Sequence, residues 1–372
     1  MQPAHRRMPP ARWARSPFAA ALAALLLSLL VSLGACRAPA ASAPREAGPA
    51  AVATTATPGA AADGAAPRHV KTVLSTLSSD SSPVVVAQEA GFAGQHGLDL
   101  EIVVARSGAE AMAALLSQDA PIGSIGGNAL INASAGGADL VMVAQQRLRF
   151  TYQVMAGPDL TSPADLRGKR LGVADVGGSS DLAAQYLLDK FGLRRGEDVA
   201  VVSLGSQNER LGGLQAGAVS AAMLQAPFTA GARKAGYHVI FDYAEEDYEV
   251  PSSGIVTSRA FARDQEDTVQ RFVAALVDAI HYFKTDREGT KAIVGRFLKQ
   301  DDPEILDEIY RESSGRAMPE TPYPSRRALA NALEQIGAQN DAVARLRPED
   351  LMDDHFVRAL DESGYVKALY GQ

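Results

Sequence analysis

The sequence predicts an α/β protein of two lobes, each built on a mostly parallel sheet flanked by helices. Short apolar segments alternate with helical periods from residue 70 onward, and the same alternation starts again at Lys169. Strands separated by helices of this length form crossover units, which make the strands parallel and cover both faces of the sheet. Two short extended segments, FTYQVMA (150–156) and SSGIVTS (252–258), follow the two runs. We expect them to form a two-stranded hinge between the lobes.

The elements of both runs follow from composition and spacing. In the first run we predict the strands KTVLSTLS, LDLEIVVA, PIGSIG and LVMVAQ, and the helices PVVVAQEAGFAGQHG, GAEAMAALLSQD and NALINASAGG. In the second we predict the strands KRLGVAD, VAVVSL, AAMLQ and HVIFDY, and the helices SDLAAQYLLDKFG, NERLGGLQAG and PFTAGARKAG. The chain after residue 258 is helical, and the apolar residues of EDTVQRFVAALVDAIHYFKTD recur at the spacing of a core-facing helix. Residues 69–152 and 252–372 would then form the first lobe, and residues 153–251 the second.

The chain before residue 69 is expected to direct the protein out of the cytoplasm. Residues 1–16 carry several arginines and no acidic residue, and the apolar run PFAAALAALLLSLLVSLGA follows. This order is typical of a secretory signal, although the run is also near the ~20 residues that a membrane span needs. The last residues, Leu33-Gly34-Ala35-Cys36, resemble the bacterial lipobox. We therefore predict a lipoprotein whose signal ends at Cys36, the lipidated residue.

Composition limits what the exported protein can do. Residues 37–68 are mostly Ala, Pro, Thr and Gly, which predicts a flexible tether. Cys36 is the only cysteine, so no internal disulfide and no thiolate metal ligand is expected. The formal net charge is −7 and no basic stripe occurs, which makes nucleic acid an improbable partner. We predict neither a cofactor nor a metal site.

Four strand-to-helix turns share a composition suited to ligand binding. They are SSDSSP (78–83), RSGAE (106–110), GGNAL (126–130) and GGSSD (177–181). Ligands of parallel sheets bind beyond the carboxyl ends of the strands, and the N–H groups of helix N-termini favour negative charge. The alternative for each turn is that its hydroxyl or amide only caps the helix.

Motifs of common enzymes and nucleotide binders are missing. GGSSD matches neither G-x-G-x-x-G nor the phosphate-loop pattern, and Asp181 would repel a polyphosphate. The chain contains no H-E-x-x-H and no G-x-S-x-G, and its histidines show no ligand spacing. His96 lies in the polar GQHGL turn, where we expect it to be solvated. A Ser/His/Asp triad stays open, because its members can be distant in sequence.

Much of the chain from residue 71 to 370 resembles one family. The resemblance is carried by five segments: PVVVAQEAGFAGQHGLDLEIV, the segment from SGAEAMAALL to ADLVMVA, SPADLRGKRLGVADVGGSSDLAAQYLL, NERLGGLQAGAVSAAMLQAP and LMDDHFVRALDESGYVKALY. They resemble the substrate-binding proteins of nitrate/sulfonate/taurine-type ABC importers. That group also includes binders of pyrimidine precursors. The resemblance implies a periplasmic-binding-protein type II fold that closes on a small ligand by hinge motion and then docks on a membrane permease.

The resemblance also implies which residues hold the ligand. By position they are Ser79, Asp80, Ser82, Ser107, Gly108, Gly127, Asn128, Ser179, Ser180, Asp181 and Gln225. Arg210 could clamp an anion with two donors, but we expect it on the exposed face of its helix. Asp80 and Asp181 are unexpected beside an anion, so they either cap helices or hold the ammonium group of a zwitterionic solute.

The leading hypothesis is a monomeric, lipid-anchored protein of the cell envelope that binds a small solute and delivers it to an ABC permease in the inner membrane, without catalysis. Alternatives are a binder of a pyrimidine or another heterocycle, an enzyme on the same scaffold, or a sensor that signals to a membrane partner. The family's pyrimidine-synthesising branch uses a cysteine-rich segment that this chain lacks. An enzyme would need a titratable cleft residue, and His69 is the only histidine that we place near one of the four turns.

Overall fold

The computed structural model describes residues 66–338 and 340–371. The predicted signal segment, the lipidated Cys36 and the tether as far as residue 65 lie outside these residues. Strand β1 begins at Arg68, the last residue that we assigned to the tether. Among the described helices, none combines the length and the apolarity that crossing a bilayer requires.

Two sheets, each of five strands, form the framework. The strands are β1 (Arg68–Leu74), β2 (Leu98–Val104), β3 (Ile122–Ile125), β4 (Leu140–Arg147), β5 (Gln153–Ala156), β6 (Lys169–Val173), β7 (Val199–Ser203), β8 (Ala221–Leu224), β9 (His238–Asp242) and β10 (Ser253–Ser258). The strand order is β2-β1-β3-β10-β4 in the first sheet and β7-β6-β8-β5-β9 in the second. In each sheet one strand, β10 or β5, pairs antiparallel with both of its neighbours. The two sheets are therefore mixed but mostly parallel, and they share one topology.

Of the extended segments 150–156 and 252–258, only residues 150–152 and 252 lie where the chain crosses between the sheets, so most of the predicted hinge belongs to the sheets. Residues Gln153–Ala156 form β5 inside the second sheet, and Ser253–Ser258 form β10 between β3 and β4 of the first. The chain passes from one sheet to the other over residues 148–152 and 243–252. A short apolar segment paired on both sides has the same composition as an extended connection, so the sequence pattern could not separate the two.

The helices largely match the periodicity. They are α1 (Ser82–Glu89), α2 (Phe92–Gln95), α3 (Gly108–Leu116), α4 (Gly127–Ala135), α5 (Ser179–Lys190), α6 (Gln207–Gln215), α7 (Phe228–Lys234), α8 (Arg259–Asp264), α9 (Glu266–Thr285), α10 (Arg287–Leu298), α11 (Pro303–Ser314), α12 (Arg326–Gly337), α13 (His355–Glu362) and α14 (Tyr365–Leu369). The predicted helix 83–97 is divided into α1 and α2 at Gly91, whose φ of 84° belongs to the left-handed region.

Most helices after β10 cover the first lobe, with two exceptions. The apolar stripe of α9 is buried as predicted, and α9 packs against α1, α2 and α13. The exceptions are α11, whose Glu308 pairs with Arg233 of α7 in the second lobe at 2.6 Å, and α12, which contacts α4 of the first lobe and α5 of the second. Helix α12 therefore lies beside the boundary where the two lobes meet.

Candidate binding site between the lobes

A small cavity lies between the lobes, at the carboxyl ends of β1, β3 and β6. Its volume is about 30 Å³, which is room for about two water molecules. We call it the Arg210 cavity. Its lining comes from both lobes and from the segment between β4 and β5: Ser75, Thr76, Arg106, Ser107, Gly108, Gly126, Ala129, Tyr152, Ala174, Asp175, Ser179, Ser180 and Arg210. The lobes are thus closed around a space at the sheet edge that the sequence singled out.

Four of the predicted residues line this cavity, and one of these, Ser107, is also a helix cap. The Ser107 hydroxyl accepts a hydrogen bond from the Glu110 amide at the start of α3, and the Ser180 hydroxyl accepts one from the Ala174 amide at 2.8 Å. The other two are Gly108 and Ser179. Capping and lining are compatible, because a capped helix N-terminus still presents backbone N–H groups and a positive dipole end.

Arg210 is buried, and our expectation of an exposed arginine is wrong. Only 2% of the residue is exposed, and its Nε and Nη1 atoms have no hydrogen-bond acceptor among the described residues. The reason is helix geometry: Gln207, Arg210 and Leu214 follow each other at spacings of three and four, so they share the inner face of α6. That spacing is the signal in the sequence that could have identified Arg210.

The groups around Arg210 compensate only part of the cost of burying its charge. Tyr152 lies within hydrogen-bonding reach, and Asp175 is the nearby carboxylate. Burial lowers the pKa of Arg210, with Tyr152 and Asp175 acting against this change. Burial also raises the pKa of Asp175, whose carboxylate accepts a hydrogen bond from the backbone of Ala109 in the opposite lobe. A buried guanidinium with unmatched N–H groups is costly, which makes this position one where a bound anion would be stabilised.

Beside the cavity, a set of hydrogen bonds joins the lobes directly. The Asn128 amide donates to the carbonyl of Gly177 at 2.5 Å, Asn132 donates to the same carbonyl at 3.1 Å, and the Ser179 hydroxyl donates to Asn128 Oδ1 at 2.8 Å. We call these three bonds the interlobe clasp. A Cβ atom at Gly126 would lie 2.0 Å from the Ser179 hydroxyl, so this close approach requires glycine. Two predicted ligand contacts, Asn128 and Ser179, are therefore bonded to each other.

A second group of predicted residues belongs to a buried network around Arg147. Asp80 accepts hydrogen bonds from Thr151 at 2.8 Å and from Gln225 at 2.7 Å. Gln207 in turn donates to Gln225. These bonds join the first lobe, the crossing segment and the second lobe.

Arg147 supplies the positive charge of this network, and the sequence analysis missed it. Its guanidinium donates to the carbonyls of Ser79 and Ser313, and Nε lies 3.7 Å from Asp80 Oδ1. Burial lowers the pKa of Arg147 to about 10, with Asp80 acting in the opposite direction. The predicted strand LVMVAQ ends at Gln145, two residues before Arg147, so the sequence pattern does not indicate that this arginine is buried.

The remaining predicted residues lie near the interface but outside the Arg210 cavity. The Gly127 amide donates to the carbonyl of Pro251, and the buried hydroxyl of Ser82 has no partner in the described part of the chain. Asp181 pairs with Arg195 at 2.7 Å and accepts a hydrogen bond from the Gly177 amide. Because Asp80 and Asp181 each face an internal arginine, neither stands free to hold a ligand ammonium group.

Two histidines differ from expectation. His96 is 2% exposed, not solvated, and its Nε2 lies 2.7 Å from the Asp278 carboxylate. His69 is exposed between Asp99 and Glu101 at the amino end of β1, whereas the Arg210 cavity lies at the carboxyl end. No histidine thus lines this cavity, and within residues 66–338 and 340–371 no cluster of three or more His, Cys, Asp or Glu could hold a metal ion.

Comparison with known proteins agrees with this architecture. The family model described as "NMT1/THI5 like" matches residues 78–289. The chain belongs to the NMT1/THI5-like family. YtlA of Bacillus subtilis, named as a candidate binding protein, is 24% identical over 245 residues, which cover 64% of this chain and 73% of YtlA.

Solved structures show the same fold at low identity. The periplasmic aliphatic sulphonate-binding protein SsuA of Escherichia coli matches with a TM-score of 0.61 and 20% identity, over 75% of this chain and 95% of SsuA. The periplasmic nitrate-binding protein NrtA of Synechocystis PCC 6803 matches with a TM-score of 0.68 and 14% identity, over 80% of this chain and 89% of NrtA. The predicted two-lobed periplasmic-binding-protein fold is confirmed. These matched proteins are named as binding proteins and not as enzymes, in agreement with the prediction of no catalysis.

Proposed function

We propose that this protein is an extracytoplasmic solute-binding lipoprotein of an ABC importer. It captures a small anionic or zwitterionic organic solute of the sulfonate, taurine or nitrate class between its lobes and passes it to a permease in the inner membrane. Cys36 carries the lipid that holds the protein at the cell envelope. Family membership and the names of the matched proteins support the importer role, and the lipobox supports the anchor.

One observation carries the choice of an anion: the buried Arg210. Its two unmatched nitrogens, Nε and Nη1, lie beside the N-terminal turns of α3 and α5. Charge-assisted hydrogen bonds stabilise a complex by about 1.5–3 kcal/mol each, and the helix N-termini add to the positive potential. A sulfonate, carboxylate or nitrate would satisfy donors that the protein itself leaves unsatisfied.

Thermal unfolding of the protein from residue 66 onward, followed with an external dye, tests this proposal. The ligand panel contains taurine, alkanesulfonates, nitrate, aromatic carboxylates, aminopyrimidines and riboflavin. A ligand at 100 times its Kd adds about 2.7 kcal/mol to the free energy of unfolding, or roughly 5–10 °C in Tm. We expect a shift with organic anions that Arg210→Met abolishes and that Arg170→Met, at an exposed position, preserves.

The other outcomes separate the alternatives. A shift with aminopyrimidines or riboflavin alone would favour the heterocycle binder, and turnover of any bound compound would favour an enzyme. An anion-dependent shift that survives Arg210→Met would contradict the assignment of the site. For the anchor, Cys36→Ala should move the full-length protein from the membrane fraction to the soluble exported fraction, and unchanged fractionation would contradict lipidation.

A further inference from the structure

A second and larger cavity lies on the other side of the interlobe clasp. Its volume is about 270 Å³, and we call it the α12 cavity. It lies where α4, α5 and α12 meet, and its lining includes Asn128, Asn132, Asp181, Gln185 and Gln335. None of the functional roles considered so far uses this space.

The two cavities share their walls. The N-cap residue of α4, Gly126, and Ala129 within the helix line the Arg210 cavity, while Asn128 and Asn132, one helical turn apart, line the α12 cavity. The first turn of α5 is divided in the same way, with Ser180 on one side and Asp181 on the other. The N-terminal turns of α4 and α5 therefore contribute to the walls of both the Arg210 cavity and the α12 cavity.

The Arg210 cavity and the α12 cavity are separated by contacts between the lobes, and these contacts must break when the lobes open. The bonds of the interlobe clasp all run from α4 in the first lobe to residues 177–179 in the second. When the lobes separate, the clasp parts and the two cavities become one space. Their combined volume reaches the lower end of the range of about 300–1,000 Å³ that is typical of ligand pockets, whereas the Arg210 cavity alone holds only about two waters.

The chemistry of the two spaces differs. The Arg210 cavity contains a buried guanidinium with unmatched donors. In the α12 cavity the only lining cation, Arg195, is neutralised by Asp181 at 2.7 Å. The rest of its lining is formed by amides and by the apolar side chains of Val176, Leu182 and Ile336. The first space suits a negative charge, and the second suits an uncharged organic group.

We propose that the α12 cavity receives the uncharged tail of an organic anion whose charged head binds Arg210. The solute is then a sulfonate or carboxylate with an alkyl or aryl substituent, and not an inorganic anion. The tail passes the position of the Asn128–Ser179 hydrogen bond, which it replaces. This inference rests on the proposed function and narrows its solute class.

Calorimetric titration with linear alkanesulfonates of one to six carbons tests the tail site. Each buried methylene should tighten binding by about fourfold, until the cavity is filled. Val176→Trp and Ile336→Trp introduce bulk from the two opposite walls, the loop before α5 and α12. We expect both variants to bind methanesulfonate as the wild type does but to lose the gain with chain length.

Leu116→Trp is the matched control, because Leu116 is 52% exposed on α3 and lines neither cavity. It should keep the wild-type dependence on chain length. A wild-type affinity that does not rise with chain length, or a rise that both cavity variants keep, would overturn the tail site. If methanesulfonate still binds in an Arg210-dependent way, the proposed function stands without the inference. If neither a sulfonate, a carboxylate nor nitrate binds, the proposed function itself fails.

Discussion

Two buried arginines near the lobe boundary differ in what surrounds them. Arg147 is fully buried, and it contacts two backbone carbonyls, the Asp80 carboxylate and the ring of Phe283. Arg210 is almost as buried, yet two of its guanidinium nitrogens have no acceptor in the described part of the chain. Burial and residue type are the same, so the partners decide the role. The fold supplies backbone acceptors for both terminal nitrogens of Arg147 and leaves only its Nε, 3.7 Å from Asp80, without a hydrogen bond. Arg210 has two unmatched nitrogens, which an anion could complete.

The largest expected effect concerns Arg147, the arginine whose terminal nitrogens the fold pairs. Arg147→Met leaves the buried Asp80 carboxylate without its cation, and removing one partner of a buried ion pair costs about 3–5 kcal/mol. We expect a loss of this size in the free energy of unfolding, measured by urea denaturation. Arg170→Met, at an exposed site, should change it by less than about 0.5 kcal/mol. A loss below about 1 kcal/mol for Arg147→Met would erase the distinction between the two arginines.

Glu312, a half-buried acidic residue, allows the same comparison for a negative charge. Burial raises the pKa of Glu312 to about 8, and Glu308 and Asp242 add to this, while Arg233 and Arg311 oppose it. Because the folded-state pKa exceeds the unfolded value, folding favours the protonated acid, and its contribution is lost as pH rises toward 8. Glu312→Gln should therefore stabilise the protein at pH 8 by up to about 4 kcal/mol, at about 1.36 kcal/mol per unit of pKa difference, and leave it nearly unchanged near pH 4.5. An equal effect at both pH values would show that Glu312 ionises normally.

The smallest expected effect concerns the interlobe clasp. Asn128→Ala removes one bond to Gly177 and the bond from Ser179, each worth about 0.5–1.5 kcal/mol, and should shift the ligand-free protein toward the open arrangement. Small-angle scattering should show a larger radius of gyration. Asn132→Ala removes only one bond and is the matched control with a smaller change. A radius unaffected by Asn128→Ala would mean that other contacts hold the lobes together.

The strands and helices of the two sheets could be predicted from the sequence, because the spacing of apolar residues indicates which faces are buried. Strands alternate with helices in the order observed, and α9 buries the face that its apolar spacing predicted. The sequence did not predict that most of the segments 150–156 and 252–258 forms strands inside the sheets, because their pairing partners are distant in the chain. His96 was misjudged for a related reason: its partner, Asp278, lies 182 residues away.

The turns that line the candidate site were predicted from the sequence, but the buried charged residues beside them were not. Ser107, Gly108, Ser179 and Ser180 line the Arg210 cavity because strand ends and helix starts determine their place. Arg210 was placed on the exposed face because charge is normally a sign of exposure, and Arg147 was not identified because it lies beyond the predicted end of its strand. Only the three-and-four spacing of Arg210 with Gln207 and Leu214 indicated an inner face.

The most direct test of the account is to measure stability and anion binding in Arg210→Met. We predict that the free energy of unfolding stays within about 1 kcal/mol of the wild type or rises, since an unmatched buried charge is replaced by an apolar side chain of similar length. Affinity for the organic anion that the panel identifies should fall at least about 100-fold, or about 2.7 kcal/mol. A variant that is strongly destabilised and still binds the anion would contradict the account, because Arg210 would then be a structural residue like Arg147.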